Sequence, residues 1–171
     1  MTSLNGLDGW KRLATRRLLK VVAAWPFTLV TVPALNLNGD QDNSRDYIPN
    51  EHFTNVLCIQ SFDKAGNLWA SHHGSNVFIA APGRRVIVFN GTNAYSSSGS
   101  SLASAHVAGV AALCMANTGE GWMTTIERLR QGANKSPAWV LSNSVGGTLN
   151  AYRALLWNPY APSLSIDSQQ V

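Results

Sequence analysis

The segment that most constrains this chain is Ser98-Gly99-Ser100-Ser101 running directly into Leu102–Ala116. The second part is rich in Ala, Val and Leu and carries almost no charge. A helix that is apolar all round is expected to be central and covered on every side. The chain must therefore build layers around it. The small-residue loop before it delivers hydroxyls to the first helical turn. There the backbone N–H groups lack intrahelical partners and the helix end carries partial positive charge. A serine so placed, Ser101, can attack a carbonyl while its own N–H faces the developing oxyanion. A Ser/Gly loop that merely caps a core helix has the same composition. These residues alone leave both readings open.

The rest of the chain reads as short strands alternating with helices. Trp10, Leu13, Ala14, Leu18, Val21 and Trp25 recur at spacings of three and four, opposite Lys11, Arg12, Arg16 and Lys20, which predicts an amphipathic helix ending near Pro26. Phe27–Ala34 and Asn55–Phe62 are short, apolar and partly β-branched, as buried strands are. A polar loop, residues 36–50, separates them, and Asp63–Asn67 is a turn containing Gly66. Asn76–Ala80 and Arg85–Phe89 read as two further strands around Pro82-Gly83, and Tyr95–Ser100 as a loop. Thr124 with Glu127 suggests a capping box for a helix through Gln131. A last short helix is expected over Leu149–Leu156, followed by a loosely packed tail over 158–171. The alternation predicts an α/β fold, a mostly parallel sheet flanked by helices. Such sheets bind ligands beyond the C-terminal ends of their strands. That rule points to Ala34–Asn36 and to the loop before Ser101.

Composition narrows the function classes. Charged residues are 13% of the 171 residues, well under the usual quarter, so Ser, Asn, Thr and Gly cover much of the surface. The net charge of +4 is concentrated in Lys11–Lys20, with no basic patch interleaved with aromatics, which excludes nucleic acid as the expected partner. Cys58 and Cys114 sit in apolar runs outside any CxxC pair and read as free buried thiols. The apolar run Val21–Leu35 is shorter than the roughly 18–20 residues of a spanning helix and holds Pro26 and Pro33, so no membrane span is expected there. No targeting segment is readable at the start of the sequence.

The serine segment, Ser98-Gly99-Ser100-Ser101-Leu102-Ala103-Ser104-Ala105-His106-Val107-Ala108-Gly109, resembles the subtilase signature Gly-Thr-Ser-Met-Ala-Ala-Pro-His-Val-Ala-Gly. The likeness continues in order on both sides. Ala80-Ala81-Pro82-Gly83 is similar to the family's Ala-Pro-Gly turn, and Ile48-Pro49 with Asn55–Asp63 to its Tyr-Pro-Ala … Asn-Val-Ile stretch. Leu149-Asn150-Ala151-Tyr152 matches its closing Leu-Asn-Ala-Tyr, and Ser3-Leu4-Asn5-Gly6 its Ser-Leu-Gly-Gly strand. The resemblance covers about residues 3 to 156 and implies the C-terminal half of a subtilisin-like catalytic domain.

It implies further that Ser101 is the nucleophile of peptide-bond hydrolysis through an acyl-enzyme. Asn36 would supply the oxyanion-hole side chain, with Asn38-Gly39 as a second, less favoured register. Ser3, Leu4, Asn5, Gly6, Ala34 and Leu35 would present backbone to a peptide or protein substrate. The family's partner aspartate and histidine precede the Ser-Leu-Gly-Gly strand, so the chain is expected to need the missing N-terminal half of the domain as its partner and to be inactive alone. The alternative is a catalytically dead protease-like domain that binds peptides or a partner. His106 matches the signature's structural histidine; His72 and His73 fall in a surface turn and His52 in a loop. Leu35 and Asn5 each replace a family glycine, and Ser104-Ala105 replaces Ala-Pro. No cofactor is expected. Structural calcium is common in the family, but Asp40, Asp42 and Asp46 do not form a recognisable ligand set and read as a solvated turn. Asn90-Gly91-Thr92 and Asn134-Lys135-Ser136 are sequons that matter only in a secreted protein, a localisation the family allows.

Overall fold

A computed structural model of the chain describes residues 17–18, 20–22, 24–25, 27–34, 36, 53–69, 74, 76–135 and 146–160. Ser3–Gly6, Leu35, Asn38, the acidic loop, His52, His72, His73 and the tail beyond Tyr160 lie outside them.

The predicted parallel sheet is present. Strands β1 (Val30–Pro33), β2 (Val56–Phe62) and β3 (Val77–Pro82) pair in parallel in the order β1-β2-β3. Both faces of β2 are covered, in keeping with its apolar run Val56–Ile59, and the polar Gln60 and Ser61 that follow are buried as well. Leu57 and Ile59, with Ile79 and Ala81 of β3, face the helices. Cys58 points the other way and packs with Val32, Ala34 and Val77. The outer edge of β3 is met by residues 147–149: the Ala80 N–H donates to Gly147 O (3.0 Å) and the Leu149 N–H to Ala80 O (2.8 Å). Strand β1 starts three residues later than the apolar run predicts. The Asn55 amide donates to Val22 O (3.1 Å) and Thr28 O (3.0 Å), holding the chain in a turn there, and Phe27 is exposed.

Three helices follow. Helix α1 (Ser100–Thr118) runs from Gly99 to a left-handed C-cap at Gly119, α2 (Trp122–Gly132) packs beside it, and α3 (Ala151–Leu156) lies against α2. Ala103, Val107, Val110, Ala111 and Cys114 of α1 are buried against the sheet, with Ile126 and Leu129 of α2 and Ala154 of α3 completing the core. Neither cysteine is in a disulfide and both are buried, and burial pushes the Cys114 thiol above its ordinary pKa.

Four expectations need correction. Helix α1 is covered on one side only: Ala105, Ala108, Gly109, Ala112 and Ala116 are exposed and Leu113 is 57% exposed. It is long and apolar enough to cross a membrane, but its inner face packs on β1, β2 and β3. The N-terminal helical residues 17, 18, 20–22 and 24 likewise leave Leu18, Val21 and Trp25 of the predicted core stripe exposed. Tyr95–Ser97, expected as the start of a loop running to Ser100, belong to strand β5 (Asn93–Ser97), which forms an antiparallel hairpin with β4 (Val86–Asn90), separate from the parallel sheet. The capping box is absent because Gly121 is the N-cap of α2 and Thr124 lies inside the helix. The final helix begins at Ala151, where Asn150 caps it by accepting the Arg153 N–H (3.0 Å).

One buried cation ties these helices together. Arg128 is 5% exposed. Its Nε and Nη2 donate to the two Glu120 oxygens (2.5 and 3.0 Å). Its Nη1 donates to the carbonyls of Ala154, Leu155 and Trp157, which have no intrahelical partner at the end of α3. The Arg128 side chain holds the Glu120 carboxyl below its ordinary pKa. That contribution is present above the unfolded carboxylate pKa and is lost as pH falls through the lower folded value. Arg128→Lys cannot reproduce the planar fork. It is expected to lower the melting temperature by several degrees at pH 7 and by much less in acid, measured by circular dichroism. An equal loss at both pH values would exclude the Glu120 pairing as the cause.

Candidate active site

The loops at the C-terminal ends of the strands meet at the start of α1. Ser101 is the second residue of the helix and is exposed, as a residue that must reach a ligand has to be. Gly99 before it is extended (φ 166°) and its N–H donates to Gly83 O (2.7 Å), which fixes the loop on the turn after β3. From the end of β1, beyond the fully buried Ala34, Asn36 reaches across to the same point.

Asn36 is anchored by a residue the sequence reading passed over. The Ser100 N–H (2.7 Å) and the Ser100 hydroxyl (2.9 Å) both donate to Asn36 Oδ1. With its oxygen occupied, the amide must present its Nδ2 donors elsewhere. A Cβ placed on Gly99 would lie 3.2 Å from Ser101 Oγ and 3.5 Å from Asn36 Nδ2. The hydroxyl and the amide donor thus converge on one small space that exists because residue 99 has no side chain. The same point is 3.6 Å from Asn36 Oδ1, so it lies at van der Waals distance from the amide and closer to the hydroxyl. Ser100 is fully buried and its side chain is used entirely by this contact, 64 positions away in the chain. Its only trace in the sequence is its place beside Ser101.

The departure at Ser104 also has a structural account. The Ser104 hydroxyl donates to Thr31 Oγ1 (3.0 Å), and Thr31 Oγ1 donates to Ser104 O (3.2 Å), pinning the first turn of α1 to β1. His106, the one described histidine, has Nδ1 2.8 Å from Leu102 O, one turn back on its own helix, and stands away from Ser101. Among the described residues no group of His, Cys, Asp and Glu is placed to hold a metal ion.

Gly99→Ala is expected to block this space with little effect on folding, because the backbone there suits any residue. With the family's Asp- and His-bearing segment added to supply a base, labelling of Ser101 by a fluorophosphonate should fall at least about tenfold relative to the protein with Gly99, a lower bound on the ~10²–10³ that one lost oxyanion donor costs. Undiminished labelling would show that the carbonyl oxygen sits elsewhere.

Comparison with known proteins identifies the family and the fold. The subtilase family model (peptidase S8) matches residues 24–151. No curated protein matches the sequence. Among solved structures, that of the subtilase cytotoxin SubAB assembly superimposes with a TM-score of 0.69 at 22% identity, covering 82% of this chain and 52% of that one. The A-subunit of the AB5 toxin from E. coli gives 0.68 at 22% identity, covering 81% and 53%. MycP1 from Mycobacterium smegmatis gives 0.66 at 22% identity, covering 84% and 46%. The chain thus spans about half the length of the solved chains it matches. With the serine signature at the helix N-terminus, the parallel sheet and a family match over most of the sequence, this chain belongs to the subtilase family of serine proteases.

Proposed function

We propose that the chain is the serine-bearing half of an endopeptidase domain, hydrolysing peptide bonds through an acyl-enzyme on Ser101 once a second half supplies the aspartate and histidine. The observation that carries this reading is the meeting of Ser101 and Asn36 at the point left open by Gly99, 3.2 Å from Ser101 Oγ and 3.5 Å from Asn36 Nδ2. In the proposed reaction Ser101 attacks the peptide carbonyl, its proton passing to the base, and the oxyanion is held by Asn36 Nδ2 and the Ser101 N–H. Return of the proton releases the amine, and water then cleaves the ester.

The exposed apolar faces support the need for a second half. Ala105, Ala108, Ala112, Leu113 and Ala116 on α1 are exposed, as are Leu18 and Trp25, and exposed apolar surface of this kind marks places where a further segment docks. No base stands beside Ser101 among the described residues.

The test is fluorophosphonate labelling of the chain and of Ser101→Ala, each with and without a co-expressed segment carrying the family's Asp-Thr-Gly and His-Gly-Thr motifs. Labelling that needs both Ser101 and the added segment is expected. Absence of labelling in a soluble, stably associated pair would instead make this a protease-like binding domain.

A further inference from the structure

A second group of side chains gathers at the C-terminal edge of the sheet, on the far side of the serine loop from Asn36. Asp63, Lys64, Arg84 and Arg85 line an open groove of about 170 Å³. Asp63 follows β2. Its Oδ1 accepts the N–H groups of Ala65 (2.9 Å) and Asn67 (3.0 Å), and its Oδ2 accepts Arg84 Nη1 (3.3 Å). The Asn67 N–H, then the Ala65 N–H and the Arg84 charge, hold its carboxyl below the usual range despite some burial. Arg84 is steadied on its other side by the Trp69 ring, 6.0 Å from its guanidinium carbon. One cation is therefore fixed and half neutralised. Lys64 and Arg85 bring two more positive charges, and neither has a carboxylate partner among the described residues.

Arg85 carries an independent signal. It is the one non-glycine residue with positive φ (54°) among the described residues. Asn, Asp or Gly would occupy that conformation at less cost. The backbone is held there by its N–H, which donates to Ser98 Oγ (3.0 Å). Strain kept at a long cationic residue, beside a groove that already holds two cations, is the pattern of a functional position. The same turn receives the Gly99 N–H through Gly83 O (2.7 Å), so the groove and the Ser101 loop form one hydrogen-bonded unit. Ser98 and Ser101 are three residues apart, at most about 10 Å.

We propose that Lys64, Arg84 and Arg85 form a carboxylate-binding subsite that selects acidic groups in a peptide bound at Ser101. An extended peptide advances about 3.3 Å per residue, so an Asp or Glu side chain, or a free C-terminal carboxylate, two to four residues from the attacked carbonyl reaches the groove. Arg84 supplies a pre-oriented fork, and Arg85 and Lys64 supply the unneutralised charge. The site rests on the reading of Ser101 as the peptide-binding centre, but its test does not depend on catalysis.

The test is calorimetric titration of the folded chain, at low salt, with short alanine-based peptides: one with a central Glu and an amidated end, one with Gln in its place and amidated, and one with Gln and a free C-terminus. Either carboxylate peptide should bind at least about tenfold more tightly than the amidated Gln peptide, with the two arms separating side-chain from terminal recognition. The selectivity should vanish in K64S/R85S and largely survive in Arg85→Lys. Arg85→Gly should raise the melting temperature, by releasing the strained φ, while losing selectivity; a purely structural Arg85 would not separate these two readouts. Equal affinity for the three peptides, retained selectivity in the double variant, or tighter binding of a short oligonucleotide than of the Glu peptide would each overturn the site. Acid-selective binding with no Ser101 labelling even when the Asp- and His-bearing segment is added would support the groove and overturn the hydrolytic reading. Labelling without acid selectivity would do the reverse.

Discussion

Adding the Asp- and His-bearing segment in trans is expected to raise the rate of Ser101 labelling by at least about 10⁴-fold over the chain alone. A serine hydroxyl is a weak nucleophile while it keeps its proton, and the oxyanion space does nothing to remove it. In subtilisin itself, a member of this family, loss of the histidine alone costs about 10⁶ in turnover, while the oxyanion hole and binding retain roughly 10³–10⁴ over water. The magnitude is carried over from that enzyme. The histidine described here cannot substitute, because His106 is turned back on Leu102 O. The measurement is stopped-time labelling with Ser101→Ala as the blank. Fast, Ser101-dependent labelling by the chain alone would sink the two-half reading and show that these 171 residues contain a base, with His72 and His73 the first to replace. A companion result is expected in solution behaviour. The chain alone should self-associate through the uncovered face of α1, and the added segment should abolish this in gel filtration.

Gly83→Ala is expected to destabilise the fold by about 1–3 kcal/mol or more and to abolish labelling of the chain completed with the added segment, although residue 83 touches no substrate. A Cβ at this position would meet the Ser61 side chain inside normal contact and would come within 2.8 Å of Gly99 O and 3.3 Å of the Ala103 side chain. Ser61 and Ala103 are fully buried, and Ser61 is tied by its hydroxyl to Trp69 O (2.7 Å), so neither can step aside. The backbone of Gly83 is equally committed, donating to Phe62 O (3.1 Å) and accepting from Gly99 N (2.7 Å). The added methyl must therefore push the turn after β3 away from the start of α1, and overpacking of this kind costs about 1–3 kcal/mol or more. Because the Gly83–Gly99 bond positions the loop before Ser101, the displacement also moves Ser101 away from Asn36. A shift of about 1 Å is enough to cost ~10²-fold in rate. Thermal unfolding and labelling should fall together. A variant that melts normally and still labels would show that the turn has slack which the contacts do not reveal.

The α/β class, a mostly parallel sheet of short strands and the arrival of Ser101 at a helix N-terminus were legible in the amino-acid order, but not that Val86–Asn90 leaves that sheet for an antiparallel hairpin. Each depends on local pattern: apolar runs of strand length, a small-residue loop, and an apolar segment of helix length. The surroundings of those elements were not. A helix composed of Ala, Val and Leu on every side carries no mark of which side is covered, so the exposure of Ala105, Ala108, Ala112 and Leu113 came only from packing. Tyr95–Ser97 are polar enough to read as loop, yet they belong to a strand because β4 offers residues 93–97 a ladder from Val86 opposite Ser97 to Asn90 opposite Asn93. The orientation of Asn36 is set by Ser100, 64 positions away, and the groove joins residues 63–64 to residues 84–85 through the Asp63–Arg84 ion pair. Contacts of such separation leave no periodic trace in one sequence. They exist because three strand ends and one helix start are brought to the same edge of the sheet, and only the folded chain decides which side chains meet there.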